Sequence, residues 1–338
     1  MVRKPAGGRQ LNLFEGPHSP TAPGEVGPAQ VPQELEELAR RLPDTIRLGT
    51  SSWSFPGWQG LVYDGRPTKA KLARKGLAAY ARHPLLRTVG IDRTYYAPLP
   101  ASAFEEYAEA VPDDFRFLVK AAGSCTDPVG RDAAGRPAGD NERFLHPTFA
   151  VDEIVGPFSE GLGPKAGPLV FQFPPLGPAQ VSQPARFAER LGRFLSALPR
   201  GSLYAVELRD RELLGPDYFA ALASGGATHC FNVHPRMPTV EEQRRLAGPA
   251  QDGTLVVRWM LHAGLGYEQA VERYEPFARL VDEDRSTRAS LADLCLDRAL
   301  RGQQVVLVAN NKAEGSAPLT VFRLAERIAR QLSEGAKR

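Results

Sequence analysis

Cysteine is scarce in this chain. Its 338 residues hold three, Cys125, Cys230 and Cys295, far apart and without a CxxC pair. That excludes a disulfide framework and a thiolate metal site, and it reads as reduced thiols in a cytoplasmic protein. No run approaches about eighteen consecutive apolar residues, the length a membrane-spanning helix needs. The first residues carry Arg3, Lys4 and Arg9 but no apolar stretch, so nothing there reads as a secretory signal. Charge of one sign is lacking too. The net charge of +3 neither requires nor excludes nucleic acid, because a basic patch can hide in a nearly neutral total. Also missing are a GxGxxG loop after the first strand, an HExxH pair and a GxSxG elbow. The serine-rich GTSSWSF (49–55) is none of these.

What is present is a 42% apolar chain, enough for a substantial core. Residues 1–31 are rich in Pro and Gly with almost no apolar periodicity, and read as a disordered tail. Within it RQLNLFEGP crowds Leu11, Leu13 and Phe14 together. PQELEELARRL (32–42) opens on Pro and spaces Leu35, Leu38 and Leu42 helically, which predicts a short amphipathic helix within a lead-in ending at residue 45.

From residue 46 to 331 short β-rich runs alternate with helical stretches. The candidate strands are 46–53, 88–96, 115–122, 168–174, 203–210, 228–234, 255–261 and 304–311. Helical patterns such as 102–111, 184–198 and 288–300 lie between them. Eight strands alternating with helices predict an α/β fold, a (β/α)8 TIM-type barrel. An open doubly wound sheet is the runner-up, disfavoured by the missing phosphate loop. The stretch from Thr126 to Pro164 is expected to be the longest irregular segment, either a lid on the C-terminal face or an inert insertion.

Barrel strands should be apolar on both faces, so polar residues within them carry information. With a period of two, Gly90, Asp92 and Thr94 point inward while Val89 and Ile91 point out. Leu118 and Lys120 share a face, Gln172 lies between Phe171 and Phe173, and Glu207 and Arg209 alternate with Val206 and Leu208. Arg258 breaks the seventh strand, His262 follows it, and the eighth closes on Asn310 and Asn311. Buried charges need partners. Convergence would supply Asp92 and Glu207 with Lys120, Arg209 and Arg258; plugging of the barrel mouth by ion pairs is the alternative. A divalent ion on Asp92, Glu207, His234 and His262 is conceivable, but the set is dispersed, and no metal or organic cofactor is expected.

GTSSWSFPGWQG, VGIDRTYYAPLP, FRFLVKAAGSCTDP and GPLVFQFPP closely resemble motifs of the domain of unknown function 72, the YecE-like family of barrel proteins. So do YAVELRD, VRWMLHAG and ANNKAEGSAP. The resemblance implies a TIM-type barrel and no defined activity. It places the family's polar motif residues on Trp53, Asp92, Thr94, Tyr95, Lys120, Gln172, Glu207, Arg209, Arg258, Asn310 and Asn311. The chain departs from the family where Asp92-Arg93-Thr94 replaces Glu-Asn-Ser/Thr, and where Asp127 follows Thr126 in place of histidine.

Two functions compete. One is a hydrolase or lyase on a phosphorylated, sugar-like or nucleic-acid-derived substrate. Its acid and base candidates are Asp92 and Glu207. Lys120, counted with the catalytic residues, would join Arg209 and Arg258 on an anionic group. Asn310 and Asn311 orient the ligand, Trp53 and Tyr95 form a stacking wall, and Thr94, Gln172 and His262 complete the binding set. The other is a non-catalytic accessory protein of nucleic-acid metabolism. Its tail residues Gln10, Leu11, Leu13 and Phe14 resemble the Gln-Leu-x-Leu-Phe peptide that docks on the bacterial sliding clamp.

Overall fold

The computed structural model describes residues 25–132, 134–248 and 253–335. The tail expected over residues 1–24, with Gln10, Leu11, Leu13 and Phe14, lies outside the described residues. Residues 25–31, expected in the tail, lie against the barrel instead. The Ala29 amide donates to the Val62 carbonyl (2.9 Å), Asp64 donates to Gly27 (3.1 Å), and Ala29 is buried. The helix Gln33–Arg41 then buries Leu38 and ties Arg41 to the Ala329 carbonyl and the Ser333 hydroxyl of the last helix, Ala317–Gly335.

The strands are β1 (Ile46–Thr50), β2 (Thr88–Ile91), β3 (Arg116–Lys120), β4 (Val129–Arg131) and β5 (Pro137–Asp140). They continue as β6 (Ala166–Gln172), β7 (Tyr204–Glu207), β8 (Ala227–Val233), β9 (Leu255–Trp259) and β10 (Val305–Ala309). All but β4 and β5 pair in parallel and close a barrel in the order β1-β10-β9-β8-β7-β6-β3-β2. Each of the eight expected strands is a barrel strand, most of them ending earlier than their apolar pattern. TVGIDRTYY stops at Ile91, because Asp92 turns helical (φ −89°, ψ −15°) and residues 93–95 form a single tight turn. Gly49 is required where β1 meets β2: a Cβ there would lie 1.8 Å from the Thr88 carbonyl oxygen.

Period-two alternation sorts the side chains. Val89, Ile91, Phe171, Phe173, Val206 and Leu208 face the helix layer in the main core. Leu118, Val170, Ala205, Cys230, Val256, Val306 and Val308 fill the barrel itself. The helices supply matching stripes: Pro184–Ser196 buries Phe187, Ala188, Leu191, Phe194 and Leu195, the spacing of one helical face.

The segment 126–164 is not irregular. β4 and β5 form an exposed antiparallel hairpin, and residues 147–162 are helical and return the chain to β6. Its Gly and Pro content masked short elements. The hairpin base is fastened by Asn141, whose side-chain amide donates to the Ser124 (2.7 Å) and Asp127 (2.6 Å) carbonyls.

Candidate functional site

Above the apolar barrel filling, the strand ends carry charge. Glu207 continues the inward face of β7 from Ala205 and is fully buried. Its Oε1 contacts Arg209 Nη2 and its Oε2 accepts from Arg258 Nη1 (2.7 Å). Arg258, at the end of the inward face of β9, is also buried, and its Nη2 reaches both oxygens of Asp92 (2.8 and 3.0 Å). One guanidinium thus joins carboxylates on two strands. Arg209 donates in addition to Asn232 Oδ1 (3.0 Å).

Burial opposes charge on Glu207, but Arg209 and then Arg258 outweigh it and hold the carboxyl below the usual range. Burial opposes charge on Arg258 as well, and Asp92 and Glu207 together hold it firmly protonated. Asp92 is the exposed end of this relay, with about a third of its side chain reaching solvent.

Lys120 stands apart from the ion pairs. Among the described residues its Nζ makes no hydrogen bond or ion pair, and it lies 3.5 Å from the centre of the Tyr95 ring. Burial, then the Arg258 charge, pushes its pKa down to about 8. Tyr95 needs Gly123 beneath it, where a Cβ would come within 2.8 Å of the ring. Gln172 is paired in register with Glu207, and among the described residues its carboxamide makes no hydrogen bond. Thr94, Asp92, Lys120, Tyr95, Gln172, Glu207, Arg209 and Arg258 therefore gather at one end of the barrel. The hydroxyl of Thr94 is spent on the Lys120 carbonyl (2.6 Å), which fixes the loop rather than facing a ligand.

Other expected residues serve elsewhere. Trp53 is buried, donates its indole N–H to the Leu72 carbonyl (3.1 Å) and packs edge-on against Tyr107, so it is no exposed stacking wall. Asn311 accepts from Trp58 Nε1 (3.1 Å) and from the Ala317 amide (2.8 Å), capping the last helix. Asn310 donates to Ser51 and accepts from the Lys312 amide, holding the β10 loop. His262 lies near Asp282 and Asp284. It does not join Asp92 and Glu207. Among the described residues no group of three or more His, Cys, Asp or Glu side chains is placed to hold a metal ion.

Asn232 escaped the sequence reading, and His234 entered it only as a dispersed metal candidate. Asn232 sits inward on β8, and His234 follows two residues on, so the same alternation could have found Asn232 and grouped His234 with it. Burial, then Arg209, lowers the His234 pKa to about 4, leaving it neutral at pH 7. Its Nδ1 accepts from the Arg236 amide (3.2 Å), which puts the ring proton on Nε2. Lys312 is the second residue missed. It is close enough for Asp92 to act on its charge, and its Nζ lies 4.6 Å from the centre of the Tyr267 ring.

Solved structures share this architecture. A DUF72 family protein from Enterococcus faecalis superposes with a TM-score of 0.56 at 18% identity, over 84% of this chain and 95% of that one. One from Thermotoga maritima gives 0.54 at 18% identity, over 85% and 99%. No curated protein matches. Among the described residues no helix is long and apolar enough to cross a membrane. The family described as "Protein of unknown function DUF72" matches residues 47–337, from the first barrel strand through the last helix, and the chain belongs to it.

Proposed function

We propose that the barrel mouth binds a phosphorylated or nucleic-acid-derived small molecule and acts on it as a hydrolase or lyase, with Lys120 transferring the proton. The observation that carries this reading is the state of Lys120. It is a mostly buried ammonium held over an aromatic ring rather than against a carboxylate, with its pKa lowered to about 8. A proton-transferring group works best when its pKa lies near the working pH. Three cations, Lys120, Arg209 and Arg258, face two carboxylates, Asp92 and Glu207, so the cluster keeps a positive excess for an anionic ligand. Glu207 is enclosed and acts through its arginines as a positioning residue. Asp92 is the carboxylate within reach of a ligand, and Gln172 and His234 supply neutral polar contacts at the rim.

Calorimetric titration with inorganic phosphate and pyrophosphate, alongside a screen of phosphate mono- and diesters with and without divalent ions, tests the reading. The expected result is binding by the wild type that Lys120→Met abolishes while melting unchanged or higher. Absence of both phosphate binding and turnover between pH 7 and pH 9 would overturn it.

The accessory reading rests on a separate observation, the box Gln10-Leu11-Asn12-Leu13-Phe14. It concerns the tail, so both readings can hold. A labelled peptide of residues 7–18 titrated with purified bacterial clamp should bind on the order of micromolar, since few apolar anchors are buried after the cost of ordering. Binding no tighter than that of a Gln10→Ala, Phe14→Ala control ends it.

A further inference from the structure

Large apolar or aromatic side chains seldom stay exposed on the described surface of this protein. Four do: Tyr96 at 89%, Leu300 at 71%, Tyr267 at 64% and Val129 at 39%. Three of the four follow the C-terminal ends of barrel strands. Tyr96 comes after β2, Val129 is on the hairpin after β3, and Tyr267 opens the helix Tyr267–Tyr274 in the loop after β9. They share the face that carries Lys120 and Asp92.

The two exposed tyrosines belong to a connected arc. Tyr96 packs edge-on against Tyr95 (5.7 Å between ring centres), and Tyr95 carries Lys120 on its ring. Lys120 and Lys312 both feel the charge of Asp92, and Lys312 lies over Tyr267. Burial lowers the Lys312 pKa, and Lys69 is close enough to push the same way, against the pull of Asp92. In strand order the arc is continuous, since β3, β2, β1, β10 and β9 are successive neighbours in the barrel. Aromatic rings and ammonium groups therefore share this part of the mouth, with Lys120 and Lys312 near one partly exposed carboxylate and Lys69 near Lys312.

We infer that this arc is a binding surface for single-stranded nucleic acid, with Tyr96 and Tyr267 stacking on bases and Lys69, Lys120 and Lys312 contacting phosphates. The inference rests on the anionic-ligand reading of the mouth and extends it from one phosphate to a strand. The chemistry selects the class. Rings alone would suit a sugar, but a sugar has no use for three ammonium groups that, among the described residues, form no ion pair and outnumber the one exposed carboxylate. A duplex hides its base faces from exposed rings, whereas a single strand offers both base faces and phosphates.

Fluorescence anisotropy with a labelled oligothymidylate of about 15 nucleotides tests it, because one strand-binding fold covers about 4–16 nucleotides. The full-length protein is compared on this strand, on a duplex of equal length and on thymidine monophosphate. The single strand should bind at least about tenfold tighter than the other two, with stacking at successive bases making the difference. Tyr267→Ala and Tyr96→Ala should each weaken binding about fivefold or more, with melting temperatures unchanged because both side chains are exposed. Lys312→Gln should reduce the slope of log affinity against log salt by about 0.7, the value for one phosphate of a single strand. Equal affinity for strand and duplex, or tyrosine variants that bind like wild type, overturns the inference. If inorganic phosphate still binds in a Lys120-dependent way while the oligonucleotide does not, this inference fails and the small-anion site stands. Loss of both results sinks both.

Discussion

Lys120 gives the mouth its pH dependence. An anion bound through its ammonium loses that contact once the free site deprotonates, and the free pKa is about 8. Affinity for inorganic phosphate, corrected for the ligand's own ionisation, should be level below about pH 8 and then fall by up to about tenfold per unit. Calorimetry from pH 6.5 to 9.5 reads this directly, and a flat profile removes Lys120 from the site. Glu207 predicts the opposite kind of effect. It is enclosed between two guanidinium groups, so Glu207→Gln leaves buried Arg209 without a carboxylate and Arg258 with Asp92 alone, and should cost about 3 kcal/mol or more in urea unfolding. Because its folded pKa is lowered, the Glu207 contribution is fully present at neutral pH. It is lost as the pH falls through that folded pKa, so the variant's deficit should shrink in acid. A loss under about 1 kcal/mol would show that the pairs carry little stability. Both residues were legible from sequence, since alternation within a strand fixes which face a side chain takes. Trp53, Asn311 and Thr94 were misread for the complementary reason: beyond a strand end the chain turns, and residue type no longer tells direction.

At the scale of elements, the eight barrel strands were legible because each is a compact β-rich run between helical patterns. The segment 126–164 was not. β4 and β5 have no buried face, with Val129 exposed and Pro137–Asp140 open to solvent throughout, so no apolar periodicity marks them. What holds the hairpin is polar and local: the Asn141 amide on two carbonyls, and Asp127 paired with Arg131. Asn141→Ala removes both bonds and should cost about 1 kcal/mol, within the usual range for such hydrogen bonds. The cost should appear as local opening rather than global unfolding. Limited proteolysis of the variant should cut between residues 127 and 146 several times faster than in wild type, while the unfolding midpoint moves little. Cleavage no faster than in wild type would mean that the hairpin base is held by packing instead.

Over the whole molecule, the barrel interior changes character along its axis. Leu118, Val170, Ala205, Cys230, Val256, Val306 and Val308 fill it with close-packed apolar side chains, and directly above them Glu207 and Arg258 carry full charge. The apolar filling supports the charged layer by excluding water from beneath it, which is what makes the arginine–carboxylate geometry rigid. Cys230 sits at the boundary, its Sγ 4.0 Å from Glu207 Oε2, and burial, then that carboxylate, drives its thiol pKa far up. Cys125 in the turn after β3 and Cys295 in the helix Arg285–Leu300 are equally enclosed, each with its thiol pushed up to about 12 by burial. These thiols report on three separate regions: the hairpin base, the barrel interior and the outer helix layer. A thiolate is the reactive form, so all three should be nearly inert to an aromatic disulfide reagent in the native protein and should all react after denaturation. If barrel and helices open as one unit, Cys230 and Cys295 should be labelled at the same rate in mild denaturant, with Cys125 ahead of them through opening of the hairpin base. Mass spectrometry of partly labelled protein reads the order. Labelling of Cys230 before Cys125 would mean that the charged mouth opens more readily than the loop above it, and the rigid mouth described here would not survive that result.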